Sequence, residues 1–297
     1  MLGELAALGA AVCWTVSAIL YKEALKNTRP VSANIVRLAT TGGILMALLI
    51  AAGKIGVLAS LPVNIALFAC ASGIIGLGLG DTLYMMSLDQ IGVGRAVPIT
   101  CTYPLFSILW AILFGQGPVT VQAVLGAVAI FIGIWLLSQG QAMHNVQTER
   151  KNAIKGIALS LATAILWSVS ISMIGIAVEE APNFDYALAI NAVRLAAIAV
   201  SILLIAPVID RSHGFLKIHR KTLIMLISGG IVALALGWFL LTYSFINTAV
   251  SQAVPISSTT PLFSTLAAIL FLREKVTVRN VLGSILVVIG IFVIFLV

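Results

Sequence analysis

The sequence predicts an all-α, polytopic membrane protein: ten transmembrane helices arranged as two inverted five-helix repeats. Three observations predict it. The 297 residues are 61% hydrophobic and only 9% charged, with a mean hydropathy of +1.14, whereas a soluble domain carries about 25% charged residues. Apolar stretches of about 20 residues, the length needed to cross a bilayer as a helix, recur from end to end. The second half of the chain repeats the first.

The expected spans are 2–21, 32–52, 64–87, 93–114 and 119–138, then 154–177, 185–208, 222–245, 249–271 and 276–297. They are too long and too rich in Leu, Ala and Gly for barrel strands, so helices are expected. The first span has no basic segment before it and no clear small-residue cleavage site after it. It is therefore expected to be a retained helix, not a removable signal. Cys13, Cys70 and Cys101 all fall inside spans at no metal-ligand spacing, which suits small packing residues and predicts neither a disulfide framework nor a metal site. The net charge of +7 sits in loops at membrane ends. That is the pattern of a topogenic signal, so nucleic acid is not an expected partner. The lipid bilayer is.

The duplication is explicit. Residues 96–134 and 253–291 align without gaps at an offset of 157, and 23 of the 39 positions are identical. The same offset pairs Asn34 and Arg37 with Asn191 and Arg194, and an offset of 153 pairs Trp14 with Trp167. The expected organisation is a first five-helix repeat at 1–138, a linker loop at 139–153 and a second repeat at 154–297. Five crossings per half send the second copy through the membrane in the opposite direction. Charge agrees: the loops after helices 1, 3, 5, 7 and 9 carry fourteen Lys and Arg, and those after helices 2, 4, 6 and 8 carry one, Lys54. Within aligned loops, Arg273, Lys275 and Arg279 stand opposite Gln116, Pro118 and Gln122. The positive-inside rule then predicts cytoplasmic basic loops and both termini outside.

These features, in this order, resemble the drug/metabolite transporter superfamily, in particular its EamA-type ten-helix transporters, which are similar to bacterial amino-acid and metabolite exporters. The features are Trp14 and Trp167 in the first helix of each half, Arg37 and Arg194 early in the second, Pro104 and Pro261 in the fourth, Glu274 in the loop after it, and Gly126, Gly133, Gly283 and Gly290 in the fifth. The first half departs from the pattern by carrying Gly117 where the second carries Glu274. The resemblance implies a plasma-membrane transporter working by alternating access around a central cavity, with a small-molecule substrate.

Asp81 is the one acidic residue expected deep within a span, and its counterpart in the second half is Trp238. A carboxylate there costs about 2.5–3.5 kcal/mol on insertion scales, so it reads either as a functional, proton-carrying group or as a structural partner for Arg37. Arg37 suits a carboxylate or phosphate clamp. For Arg194 the favoured expectation is an architectural role, snorkelling to the interface or capping a neighbouring helix. Asn34 and Asn191 suit interhelical hydrogen bonds. Each of helices 4 and 9 carries two prolines, Pro98 and Pro104 or Pro255 and Pro261. Each second proline frees the carbonyl four residues back, on Thr100 or Ser257. Thr100, Thr102, Tyr103, Ser257, Ser258, Thr259 and Thr260 supply uncharged donors and acceptors there, with Thr100, Tyr103, Ser257 and Thr259 the candidate cavity residues. Trp14, Tyr84, Trp167 and Trp238 are candidate walls of the cavity.

His144, His213 and His219 fall in loops with no acidic or Cys cluster in sequence, and no Gly-Lys-Ser/Thr phosphate loop occurs. The expectation is a transporter that is not an enzyme, holds no metal or cofactor, and is not driven by ATP. Amino acids or related compounds are the expected cargo, and efflux of lipophilic cations is the rival. A non-transporting receptor or assembly factor is the alternative of another class. Proton coupling and facilitated diffusion both fit these residues, as do a monomer and a homodimer.

Overall fold

The structure is a computed structural model that describes residues 1–59, 61–113, 120–138, 146–179, 183–248 and 250–295. Gly117, His144 and residues 139–145 of the expected linker lie outside the described residues. The described chain contains helices and no strand.

The helices follow the expected order: α1 (Leu2–Leu25), α2 (Pro30–Ala51), α3 (Val63–Ile91), α4 (Val93–Thr100 continued by Tyr103–Leu113), α5 (Val121–Ser138), α6 (Val146–Glu179), α7 (Phe184–Ile209), α8 (Arg220–Asn247), α9 (Val250–Ser257 continued by Thr260–Leu272) and α10 (Val278–Phe295). Seven are both long and apolar enough to cross a bilayer; α5 and α10 hold shorter apolar stretches, and α4 is divided. Helices α1 and α3 run four residues past their expected ends, to Leu25 and Ile91, and the largest difference is at the start of α6. Helix α6 begins at Val146, so residues 146–153 of the expected linker are helical. The segment Thr148-Glu149-Arg150-Lys151-Asn152-Ala153 is polar but contains good helix formers, and a hydropathy reading ends the span where the polar residues begin.

The two halves are interleaved. Helix α1 packs on α8 and α9, α6 packs on α3 and α4, α2 packs on α7, and α5 packs on α10. Each contact thus has a counterpart related by the duplication. At the α5–α10 seam glycines meet: a Cβ added to Gly126 would lie 2.5 Å from the Gly290 carbonyl oxygen, and one added to Gly133 would lie 2.8 Å from that of Gly283. Small residues let helices approach where no hydrophobic effect drives them together. Large apolar side chains such as Phe131, Trp135, Leu204 and Phe271 point outward, as a lipid-facing surface requires.

Two backbone irregularities recur in each half. The first is a π-helical segment, Gly73–Gly80 in α3 and Ile231–Gly237 in α8. A π turn misaligns carbonyls with their usual donors. The Asn34 amide donates to the carbonyls of Leu77 and Gly78 at 3.3 and 3.2 Å, and the Asn191 amide donates to those of Leu234 and Ala235 at 3.0 and 3.3 Å. The expected interhelical role of both asparagines is therefore met, at the same two positions of each half.

The second is the break in α4 and α9, at Cys101–Thr102 and Ser258–Thr259. The carbonyl that Pro261 leaves without a backbone donor, on Ser257, accepts the Thr260 hydroxyl at 2.7 Å. The hydroxyls of Thr100, Thr102 and Thr259 turn back onto the carbonyls of Val97, Ile99 and Ile256. These breaks lie where the two halves face each other.

Candidate functional site

Between the halves lies a cavity of about 40 Å³, room for a few water molecules. Its floor is an ion pair. Arg37 of α2 is fully buried and donates through Nη2 to Asp81 Oδ2, also buried. The other carboxylate oxygen, Oδ1, accepts the Trp167 indole N–H at 2.8 Å. Arg37 Nε donates to Asn34 Oδ1 at 2.7 Å, and its guanidinium lies 4.8 Å from the centre of the Tyr21 ring. Asp81 therefore holds a side chain from each half, Arg37 from the first and Trp167 from the second.

Aromatic walls rise from this floor. Trp14 meets Trp238 edge-on with ring centres 5.4 Å apart, and Tyr84 meets Trp167 at 5.2 Å. Each first-helix Trp covers the last glycine of the opposite half's π segment: a Cβ on Gly80 would lie 2.9 Å from the Trp167 ring, and one on Gly237 would lie 3.0 Å from that of Trp14. A side chain at either glycine would collide with the indole ring. Thr100 and Tyr103 of α4 complete this side.

The structure thus brings Trp14, Arg37, Asp81, Tyr84, Thr100, Tyr103, Trp167 and Trp238 around one space. It does not bring Ser257 and Thr259 to the wall. Ser257 is buried behind Tyr103, whose hydroxyl lies 3.2 Å from Ser257 Oγ and accepts from Ser258 at 3.3 Å. Thr259 is turned away by the break in α9, and Thr260 lines the cavity instead. Sequence reasoning also missed Tyr21, Ser17 and Cys101. Tyr21 stands seven residues after Trp14 on the same face of α1, and its hydroxyl donates to the Gly229 carbonyl of the other half at 2.7 Å. That spacing could have found Tyr21. Thr260, expected among the hydroxyls around the α9 break, is the duplicate of Tyr103.

Arg194 corrects an expectation. It neither snorkels nor caps a helix end; it is fully buried. Its Nε donates to Ser72 at 3.1 Å, its Nη2 to Ser170 at 3.3 Å, and its guanidinium lies 4.3 Å from the centre of the Trp238 ring. Its Nη1 has no hydrogen-bond partner among the described residues. A midway position on α7 and a ring of small neighbours at Gly73 and Gly76 leave it closer to the interior than to either interface. Within the spans, the described bundle therefore buries two guanidiniums and one carboxylate, Asp81; the other buried carboxylate, Asp210, lies at the end of α7. Among the described residues no cluster of His, Cys, Asp and Glu could hold a metal ion.

Similarity to known proteins agrees with this architecture. A protein from Archaeoglobus fulgidus described as an uncharacterized transporter is 22% identical over 298 residues, covering 100% of this chain and 99% of that protein. One solved crystal structure superposes with a TM-score of 0.65 at 18% identity, over 98% of this chain and 95% of its own, and so shares the fold. Residues 1–139 and 154–296 each match the EamA-like transporter family, so that with its duplicated bundle the chain belongs to that family.

Proposed function

We propose that this transporter moves a small metabolite, most favourably an amino acid or related compound, outward across the plasma membrane by alternating access and without ATP. The observation that carries the reading is the Arg37–Asp81 pair on the floor of a cavity shared by both halves. An amino acid carries the two complementary groups, a carboxylate for the guanidinium and an ammonium for the carboxylate, in a water-poor setting where charge-assisted hydrogen bonds are strong. Inserting between Arg37 and Asp81, it would replace one buried pair by two. Because Trp167 donates to the same carboxylate from the other half, loading would also be felt across the inter-half boundary, which is what coupling a substrate to rocking needs.

Lipophilic cations are the second reading. Asp81 could serve them, but it is engaged by Arg37, and Arg194 leaves the interior with surplus positive charge. That electrostatic balance disfavours a cation and favours a group with a negative end. The basic loops after α1, α3, α5, α7 and α9 support a cytoplasmic placement of that face with both termini outside; a terminal reporter found in the cytoplasm would reverse it.

The test is counterflow of a labelled amino-acid pool in liposomes holding only this protein, with empty liposomes as control. Uptake above control that is competed by single amino acids and lost in Arg37→Gln supports the reading. Uptake of tetraphenylphosphonium with none of amino acids would replace it. Unchanged pH-driven flux in Asp81→Asn would exclude this carboxylate as a proton carrier.

A further inference from the structure

At the basic-loop face, two side chains cross from one helix end to another. The Glu274 carboxylate, in the turn between α9 and α10, accepts from the backbone N–H of Val93 at 2.9 Å through Oε1 and from that of Gly94 at 3.0 Å through Oε2. It thereby ties the second half to the start of α4, where free N–H groups favour an anion. Lys22, near the end of α1, donates to the carbonyls of Leu88 and Asp89 at 2.7 and 3.0 Å, at the end of α3, where the helix dipole favours a cation. The two helix ends meet at Gly92, which has φ of +75° and no room for a side chain, since a Cβ would lie 2.7 Å from Glu274 Oε1.

The duplication supplies the control. At the equivalent positions of the other half, Lys22 is replaced by Gly175, Glu274 by Gly117 and Gly92 by Ala249. Neither the ammonium nor the carboxylate exists there. Packing, in contrast, is matched: Gly156 of α6 sits on Ile91 at the turn between α3 and α4, and Gly3 of α1 sits on Thr248 at the turn between α8 and α9. The α2–α7 pair is tied at both faces, by Ser32 donating to Asp210 at 2.7 Å and by Lys54 with Asp185 at 2.6 Å. The polar asymmetry thus lies at the ends of α3, α4 and α9, the helices that carry the π segment and the proline breaks next to the cavity.

We propose that Glu274 and Lys22 form a one-sided latch that keeps the cavity shut toward the basic-loop face at rest, so that the opposite face, whose equivalent helix ends lack this pair, opens first. The proposal rests on the alternating-access reading. Opening at the basic face must break two charge-assisted ties whose charged side chains are missing at the equivalent positions, Gly175 and Gly117, so the resting populations of the two access states are unequal.

The full-length chain carries its own reporter, Cys101, which is buried and lines the cavity. With Cys13 and Cys70 replaced by Ala, labelling of Cys101 by a charged, membrane-impermeant maleimide is timed in vesicles exposing either face. Glu274→Gln is expected to raise the rate from the basic face roughly tenfold, the scale of a lost hydrogen bond to a charged group, with no rise from the opposite face. Lys22→Met is expected to act in the same direction and carries the test if Glu274→Gln fails to insert. Adding Gly94→Cys and Val276→Cys to Glu274→Gln permits a cross-link, because a Cβ on Gly94 lies 3.2 Å from Val276 Cγ2; oxidation should return labelling to the starting rate. Unchanged labelling from the basic face in both variants overturns the latch. So does an equal rise from both faces, which would mean a loosened bundle. Labelling needs no substrate. Failure of the transport reading would instead appear as absent flux in every variant, whatever the labelling.

Discussion

The two buried arginines occupy the same position in the two halves and live in different surroundings. Arg37 faces a carboxylate, Asp81, and a tyrosine ring; Arg194 faces two serine hydroxyls and, at the position equivalent to Asp81, the ring of Trp238. Duplication kept the guanidinium and let its partner diverge. One copy became a charge pair at the cavity. The other became a cation held by an aromatic face and hydroxyls, with one nitrogen unpartnered. A pseudo-symmetric frame therefore encloses an asymmetric interior.

That comparison makes the largest effect fall on the first half. Asp81→Ala leaves Arg37 buried without compensation, a change that costs about 3–5 kcal/mol. Arg194→Gln removes a cation with no carboxylate partner and is expected to cost about 1–2 kcal/mol, from a lost cation–π contact and weak hydrogen bonds. Thermal unfolding of the purified variants in detergent reads the difference, and equal costs would erase the distinction drawn between the two niches.

Where the halves are alike, substitutions should hurt alike. Gly126→Leu and Gly290→Leu each force a side chain into the opposing backbone of the α5–α10 seam, and each is expected to cost about 1–3 kcal/mol. A large loss from one with none from the other would show that the seam is not shared equally. Smaller still, Asn34→Ala and Asn191→Ala each remove a side chain that caps π-segment carbonyls, for about 0.6–2 kcal/mol. Asn34 also holds Arg37 Nε, so only its loss should lower transport as well.

The smallest effect concerns the α2–α7 tie at the membrane end. Burial alone would raise the Asp210 carboxyl, but hydrogen bonds from Ser32, Ser212 and the backbone N–H groups of Phe215 and Gly214 bring it down to about 2. Its folded value lies below the ordinary carboxylate range near 3.9. The stability it adds is therefore present above about pH 4 and is lost as pH falls toward 2. Ser32→Ala should shrink that acid-side loss in melting curves taken from pH 5 to pH 2. An unchanged curve would remove Ser32 as a determinant of the carboxyl's acidity.

Much of the frame is legible from the residues. Hydropathy marks where the spans lie, repetition marks the two halves, and the recurring Asn, Arg, Trp and Gly mark positions the frame needs twice. The errors have particular causes. Thr259 and Thr260 are neighbouring hydroxyls that residue type alone does not separate, and of the two it is Thr260, just after the break at Ser258–Thr259, that lines the cavity. A lone cation with no carboxylate in sequence reach suggests water, which sends Arg194 to the interface. The hydroxyls and indole that hold it come from α3, α6 and α8, distant in the chain. The π segments leave no signature beyond a glycine run in α3, which α8 does not share.

By itself the sequence determined the solvent, the number of helices, their duplication and the loop charge. These are properties of single residues or of short windows, summed along the chain. Only the tertiary structure decided that Asp81 joins Arg37 and Trp167, that Tyr21 and Thr260 face the cavity, and that Glu274 reaches the start of α4. Those are relations between helices, set by glycine contacts and backbone breaks whose angles no local pattern encodes.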